Sequence, residues 1–315
     1  MGKAHVEAAR KFNSAEYVGV VDMNQEAAQN FGHEYNLEVF AELADAIEKT
    51  KPQAADICVP TPYHLELIKI CAEHGIHVLC EKPISRTAED AKKIKDISEK
   101  GSIRLMIAQV LRFWPEYVCA REKVLSGEFG KIVSIDCKRL SSPPAWNSWM
   151  MLPDIGGGAA IDLQIHDMDF VLQLMGAPIK IDSVGRIEKG AVNAVFNRLI
   201  YSNAVPVTIE ASYLMPLSYP FRMYFKIDCE EATLEMDFWR SKEERLKIYP
   251  KDGNAYVPEF AHLDDYGEEI RYFAEKLLSG ENFEAVPLDD SITALKMCLA
   301  SEKSCMQNKT VELER

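Results

Sequence analysis

Short apolar runs alternate with amphipathic stretches through the first third of the chain. Tyr17-Val18-Gly19-Val20-Val21 is apolar throughout, ends in Asp22, and predicts a buried strand. Residues 37–40, 54–59, 76–80 and 103–109 predict further strands, and residues 24–31, 41–49, 62–74 and 87–100 carry helical patterns between them. Strands alternating with helices of this length predict βαβ units and a parallel sheet. Runs that stay apolar fit strands covered on both faces. The chain itself opens on a helix-like segment, Met1-Gly2-Lys3-Ala4-His5.

From Lys131 the rhythm changes. Residues 131–140 predict a long strand, followed by a loop rich in Pro and Trp, Ser141-Ser142-Pro143-Pro144-Ala145-Trp146-Asn147-Ser148-Trp149. Gly156-Gly157-Gly158 then leads into an apolar helix that runs to about Met175. Residues 179–248 are mostly β in pattern, with alternation as clear as Val205-Pro206-Val207-Thr208-Ile209-Glu210-Ala211. Successive strands without helices between them predict a large antiparallel sheet. Helices near residues 265–279 and 289–306 close the chain. The change of rhythm divides it into a first domain over 1–112 and a second over 113–315.

The length of 315 residues suits two domains. With 36 basic against 49 acidic residues the net charge is −13, which argues against nucleic acid as a partner because phosphate neutralisation needs a basic face. No apolar run approaches the ~20 residues of a membrane-spanning helix, so no membrane is expected, and the first residues lack the apolar core of a signal peptide. The eight cysteines stand singly, mostly inside apolar runs such as Ile57-Cys58-Val59 and Val78-Leu79-Cys80. They fit small buried hydrophobes in a reducing, cytoplasmic chain, and their spacing predicts no zinc site.

Four segments carry candidate chemistry. Asp22 ends a buried strand, where an acid needs a partner. In a dinucleotide fold this position binds the adenine ribose and repels a 2′-phosphate. Met23 and Asn24 supply no arginine to hold one, which favours NAD over NADP; capping of the following helix is the other reading. Pro60-Thr61-Pro62-Tyr63-His64 leaves a second strand, with Thr61 also placed to cap a helix. Glu81-Lys82-Pro83 leaves a third, and a lysine in a cleft can donate to an alcohol or carbonyl oxygen. Asp162 and His166 are spaced i,i+4 after the glycines, which puts them on one helix face. An Asp beside a His suits a general base; a polar surface pair, or a metal site that adds Asp169, are the alternatives. Trp146 and Trp149 offer aromatic faces to sugar C–H groups, and Arg112 offers a cation to a phosphate or a substrate, with core packing and a surface position as the other readings.

Taken in order, these segments resemble the Gfo/Idh/MocA oxidoreductases, across essentially the whole chain. Asp265-Tyr266-Gly267-Glu268-Glu269-Ile270 resembles the family's late helix start, less specifically. The resemblance implies an α/β fold with a Rossmann-type doubly wound parallel sheet, plus a second α/β domain whose large, mostly antiparallel sheet forms a homo-oligomer interface, in a dimer or tetramer. It implies NAD bound by Gly2, Asp22, Met23, Pro60, Thr61, His64, Glu81, Lys82 and Gln109, with Gln109 on the nicotinamide side. The implied substrate is a small sugar, cyclitol or related polyol, contacted by Arg112, Trp146, Trp149 and Tyr266. His166 would take the hydroxyl proton, Lys82 would hold the reacting oxygen, and Asp162 would orient the pair. An NAD-using glycosidase and a non-catalytic dinucleotide- or sugar-sensing protein are the alternatives on the same scaffold.

One departure from the family pattern stands at the start. A dinucleotide domain opens with a strand and a G-x-G-x-x-G turn, and Gly2 matches only the third glycine. The expectation is a chain short by about a dozen residues, one strand and its tight turn, with the flanking strands left without a middle partner.

Overall fold

The structure, a computed structural model, describes residues 1–101, 103–145, 147–260 and 264–314. They pack as two compact units, the first made of Met1–Ser85, Glu89–Val110 and Asp264–Leu288 and the second of the remainder.

The first unit alternates helix and strand as the sequence predicts. Helix α1 (Gly2–Phe12) buries His5, Val6, Ala8 and Ala9 along one stripe and ends on Asn13 in the left-handed conformation. Strand β1 (Gly19–Val21) leads to α2 (Gln25–Tyr35), which is capped by the Asn24 side chain accepting from Ala27 N. Strand β2 (Glu38–Phe40), α3 (Leu43–Thr50), β3 (Ala54–Ile57), α4 (His64–Glu73), β4 (His77–Glu81), α5 (Ala88–Lys100) and β5 (Leu105–Ala108) follow. β3, β4 and β5 run parallel, with Ile57 beside Cys80 and Cys80 beside Ile107.

The parallel sheet is in two pieces. β1 pairs with β2, β3-β4-β5 form a separate sheet, and no ladder joins β1 to β3 among the described residues. The Rossmann order puts a first strand between these two, so the inner strands lack a middle partner as expected. One expectation is corrected. The stretch around β1 is half-buried rather than buried, with Val18 43% exposed, and Ala54, Ala55 and Asp56 of β3 are half-buried too, because among the described residues no strand pairs along the inner edge of either.

The second unit contains α6 (Pro115–Leu125), β6 (Ile132–Leu140), α7 (Ile165–Met175), β7 (Lys180–Glu188), β8 (Ala191–Ile200), β9 (Val207–Ser212), β10 (Arg222–Cys229), β11 (Ala232–Asp237) and β12 (Leu246–Pro250). The chain then adds α8 (Asp265–Ser279) to the first unit and closes in the second with α9 (Leu288–Gln307) and β13 (Val311–Glu312). Eight strands form one sheet in the order β12-β11-β10-β6-β9-β8-β7-β13. Every pair is antiparallel except β6 with β9. Alternate residues of β10 and β11 are buried, which is the pattern of a sheet with one covered face. Tyr117 of α6, Phe170 of α7 and Phe225 of β10 meet edge-to-face or tilted, with centroids 4.7–5.1 Å apart.

Helix α8 was expected in the second domain and packs instead in the first. Gly267 lies so close to α1 that a Cβ would sit 2.2 Å from the Phe12 ring. Ile270 and Phe273 bury the apolar stripe, and Lys11 Nζ reaches Asp264 at 3.0 Å. The amphipathic pattern specifies that α8 has an apolar face, but not which unit covers it.

Candidate active site

In the first unit, the carboxyl ends of β1, β3, β4 and β5 carry the residues expected to hold a dinucleotide. Asp22 follows β1 and is exposed; its Oδ1 accepts from Asn24 N at 2.8 Å, and Met23 is also exposed. The side chain that caps α2 is therefore Asn24. Past β3, Pro60 precedes a one-turn 3₁₀ helix, Thr61–Tyr63, in which Thr61 is buried. Past β5, Gln109 is buried, and its Nε2 has no partner among the described residues.

These residues fit a nicotinamide dinucleotide. Gln109 presents a buried amide donor that a ligand carboxamide could satisfy. Helix α1 carries no acid in its first turn, and Gly2 stands where a Cβ would only touch Cys58 at 3.9 Å. A helix start of this kind suits phosphate. Asp22 is open to a ribose.

Two expected cofactor contacts have other duties. His64 is wholly buried, with Nδ1 3.1 Å from Pro83 O and Nε2 3.0 Å from Val59 O. Burial lowers its pKa, so the neutral ring donates to one of the two carbonyls and ties the loops after β3 and β4 together. Glu81 is buried and turns inward: its Oε1 lies 3.2 Å from His5 Nε2 and its Oε2 accepts from Lys82 N at 3.0 Å. Lys82 follows directly, ahead of Pro83 in the cis conformation.

His5, which no sequence pattern singles out, is the centre of a buried cluster. Its Nδ1 lies 3.1 and 3.0 Å from the two Asp56 oxygens and 3.6 Å from Cys58 Sγ. Tyr17 donates to Asp56 at 2.5 Å, and the Tyr266 ring stands 5.9 Å from the imidazole. Tyr266, expected on the substrate, thus belongs with this cluster. Burial works against a charged His5, but Asp56 and its other partners outweigh it and raise the pKa. Burial likewise opposes the Asp56 and Glu81 charges, and His5 outweighs it there. Glu269 of α8 is also wholly buried, and burial with the nearby Glu81 charge raises its pKa.

In the second unit, the expected catalytic pair stands at the start of α7. Ala159–Leu163 forms one wide π-type turn, closed by Gln164 N on Ala159 O at 3.0 Å, and α7 follows. Such turns recur at functional sites. Asp162 is buried and accepts from the Tyr213 hydroxyl; burial and the Asp162 charge raise the Tyr213 pKa, so the phenol stays protonated and donates. His166 is half-buried in the first turn of α7. Two buried ion pairs pin that helix. Arg139 of β6 holds Asp167 at 2.8 and 3.0 Å, and Arg112 holds Asp169 through Nε at 2.9 Å and Nη2 at 2.6 Å.

Arg112 was expected to face a phosphate or a substrate. It is buried, and its guanidinium also reaches Asp290 at 2.9 Å, so the partners seen for it belong to the packing of the second unit. The same pair commits Asp169 to Arg112 rather than to a metal site with Asp162 and His166. Gly156, Gly157 and Gly158 serve close packing: a Cβ on each would fall 2.3–2.7 Å from Met150 O, Arg86 Nη1 and Val192 O respectively. Trp149 is half-buried in the turn Ser148–Met151, and Trp146 lies outside the described residues. Tyr213 was missed, although it continues the alternation of Val207, Ile209 and Ala211 onto the covered face.

Residues 1–109 match the model of an oxidoreductase family with an NAD-binding Rossmann fold, and residues 117–235 match that family's GFO/IDH/MocA C-terminal domain. The chain belongs to the GFO/IDH/MocA oxidoreductase family. It is 30% identical over 176 residues to the rhizopine catabolism protein MocA of Rhizobium meliloti; that match covers 56% of this chain and only 54% of the relative. It is 24% identical to a myo-inositol 2-dehydrogenase of Thermotoga maritima, over 100% of this chain and 96% of the relative. Among solved structures, a levoglucosan dehydrogenase in complex with NADH and levoglucosan shares the fold with a TM-score of 0.86 at 19% identity, over 100% of this chain and 97% of that one. Membership explains the order of the segments along the chain; the duties of Arg112, His64 and Glu81 come from the packing of this chain itself.

Proposed function

We propose that the chain is an NAD-dependent dehydrogenase acting on a secondary hydroxyl of a sugar, cyclitol or related polyol. The observation that carries this reading is the start of α7, where a buried carboxylate fixed by Tyr213 precedes a half-buried His166 on a helix pinned by two ion pairs. His166 takes the hydroxyl proton, Asp162 acts as the positioning residue, and Lys82 hydrogen-bonds the reacting oxygen and stabilises developing negative charge. NAD supplies the hydride acceptor when bound. Asp22 takes the adenine ribose and favours NAD over NADP, the start of α1 at Gly2 takes the phosphates, Pro60 and Thr61 line the cleft, and Gln109 takes the carboxamide. Trp149 faces the sugar.

A homo-oligomer through the eight-stranded sheet accompanies this reading. Val184 and Phe196 are cross-strand partners and are 61% and 52% exposed, which supports it. The eight cysteines form no disulfide among the described residues, which supports a cytoplasmic protein. The test is a panel of polyols, sugars and amino sugars with NAD, read by NADH absorbance. His166→Ala should lower turnover by about 10²–10⁴ while NADH still binds; near-normal turnover in that variant would sink the assignment.

A further inference from the structure

In the first unit, α1 and β3 bring an imidazole, a carboxylate and a thiol to one point. Asp56 and Cys58 are two residues apart on an extended segment and so face the same way, toward the buried His5 of α1. The three atoms stand at 3.1 Å (His5 Nδ1 to Asp56 Oδ1), 3.6 Å (His5 Nδ1 to Cys58 Sγ) and 3.4 Å (Cys58 Sγ to Asp56 Oδ1). Bond lengths of about 2.0–2.2 Å for N and O and about 2.3 Å for S put neighbouring ligands of a tetrahedral zinc ion roughly 3.4–3.6 Å apart. All three separations agree with those edges to within ~0.3 Å, so an ion would need almost no rearrangement of its ligands.

The surroundings have the chemistry of a metal site as well. A metal-bound histidine commonly has a carboxylate beside its second nitrogen, and His5 Nε2 lies 3.2 Å from Glu81 Oε1, at ion-pair distance but without hydrogen-bond alignment. Tyr17 engages Asp56 Oδ2, leaving Oδ1 as the atom shared with the imidazole and the thiol. Three carboxyl groups, Asp56, Glu81 and Glu269, gather around this one imidazole. Glu269 is 0% exposed, and neither of its oxygens has a hydrogen-bond partner among the described residues.

The geometry points to a site for one thiophilic divalent cation of the zinc class, held by His5 Nδ1, Asp56 Oδ1 and Cys58 Sγ, with a fourth position left for water or another ligand. Mixed N, O and S donors in a tetrahedral set suit Zn²⁺, and Co²⁺ as its spectroscopic substitute. Binding displaces the protons on Nδ1 and Sγ to solvent and leaves the imidazole neutral, with its remaining proton on Nε2 directed at Glu81. The dehydrogenase reading does not use this site, so either can fail without the other.

The test is titration of the full chain, purified without chelator, with Co²⁺ and separately with Zn²⁺. One equivalent should bind, and Co²⁺ should give the visible bands of a tetrahedral ion together with a thiolate charge-transfer band in the near ultraviolet. Cys58→Ser should abolish the charge-transfer band, and Glu81→Gln should weaken binding by about 10–100-fold. Cys305→Ser, a half-buried thiol of the second unit, should change neither. Circular dichroism of each variant separates loss of the site from loss of the fold. Absence of the thiolate band in folded wild-type protein overturns the site, as does binding that folded Cys58→Ser retains or that Cys305→Ser removes.

Discussion

Arg112→Met separates a structural arginine from a substrate-binding one. Arg112 and Asp169 are 3% and 1% exposed, and the guanidinium grips the carboxylate through two nitrogens. Without the arginine, Asp169 keeps the Gln173 amide, which donates to it at 3.0 Å. Breaking a buried pair from one side costs about 3–5 kcal/mol, because a charge stays behind unpaired. In a domain of roughly 150–250 residues each kcal/mol lowers the melting midpoint by about 2–4 °C, so the second unit should melt some ~6–20 °C lower. Adding Asp169→Leu should restore most of the loss, since an apolar pair of similar volume replaces a buried ion pair at little cost. The second partner, Asp290, is 38% exposed and keeps its water. Differential scanning calorimetry on the single and double variants reads this directly. A single variant that melts within ~2 °C of the parent while KM rises tenfold would refute the structural role and return Arg112 to the ligand.

Tyr213→Phe removes the hydroxyl that holds Asp162. A hydrogen bond to a charged group contributes about 1.5–3 kcal/mol, so the variant should melt lower and lose kcat more than it gains KM; steady-state kinetics with unchanged kcat would separate Asp162 from the reaction. Asp22→Ala removes the carboxylate that repels a 2′-phosphate, and the NAD-over-NADP ratio of kcat/KM should fall roughly tenfold or more, about 1.4 kcal/mol; an unchanged ratio assigns Asp22 to the turn before α2 alone. Phe196→Lys places a charge opposite Val184 on the exposed sheet face, and light scattering after size exclusion should show a smaller assembly; an unchanged mass puts the interface elsewhere.

The first unit was legible wherever the chain reports its own local state. Apolar runs located β1 to β5, and the residues just past β3, β4 and β5 sit at those strand ends. Among the described residues no ladder joins β1 to β3. The consequence for the flanking strands had to be seen. β1, with no neighbour on its inner edge among the described residues, is half-buried, whereas β4 and β5, paired or covered, keep Val78, Leu79, Cys80, Met106, Ile107 and Ala108 at 2% exposure or less. An apolar run specifies a strand; how deeply it is buried depends on what stands beside it.

The same limit explains the polar residues. A charged or polar group at a strand end was expected to face a ligand, because burying it alone costs free energy. That inference holds only where the chain supplies no partner from a distant segment. His64 finds the carbonyls of Val59 and Pro83, Glu81 finds His5, and Arg112 finds Asp169, across sequence separations of 76 between Glu81 and His5 and 57 between Arg112 and Asp169. Each is therefore held by a partner that no local pattern carries. Gln109 makes the contrast: it is equally buried, yet its amide nitrogen has no partner among the described residues, so it remains the polar side chain on the cofactor side with most to gain from a ligand. His5 completes the argument from the other direction. A histidine on the apolar stripe of a helix looks like packing until Asp56, Cys58 and Glu81 arrive around it from two strands, and only then does the stripe become a place where charge has been collected.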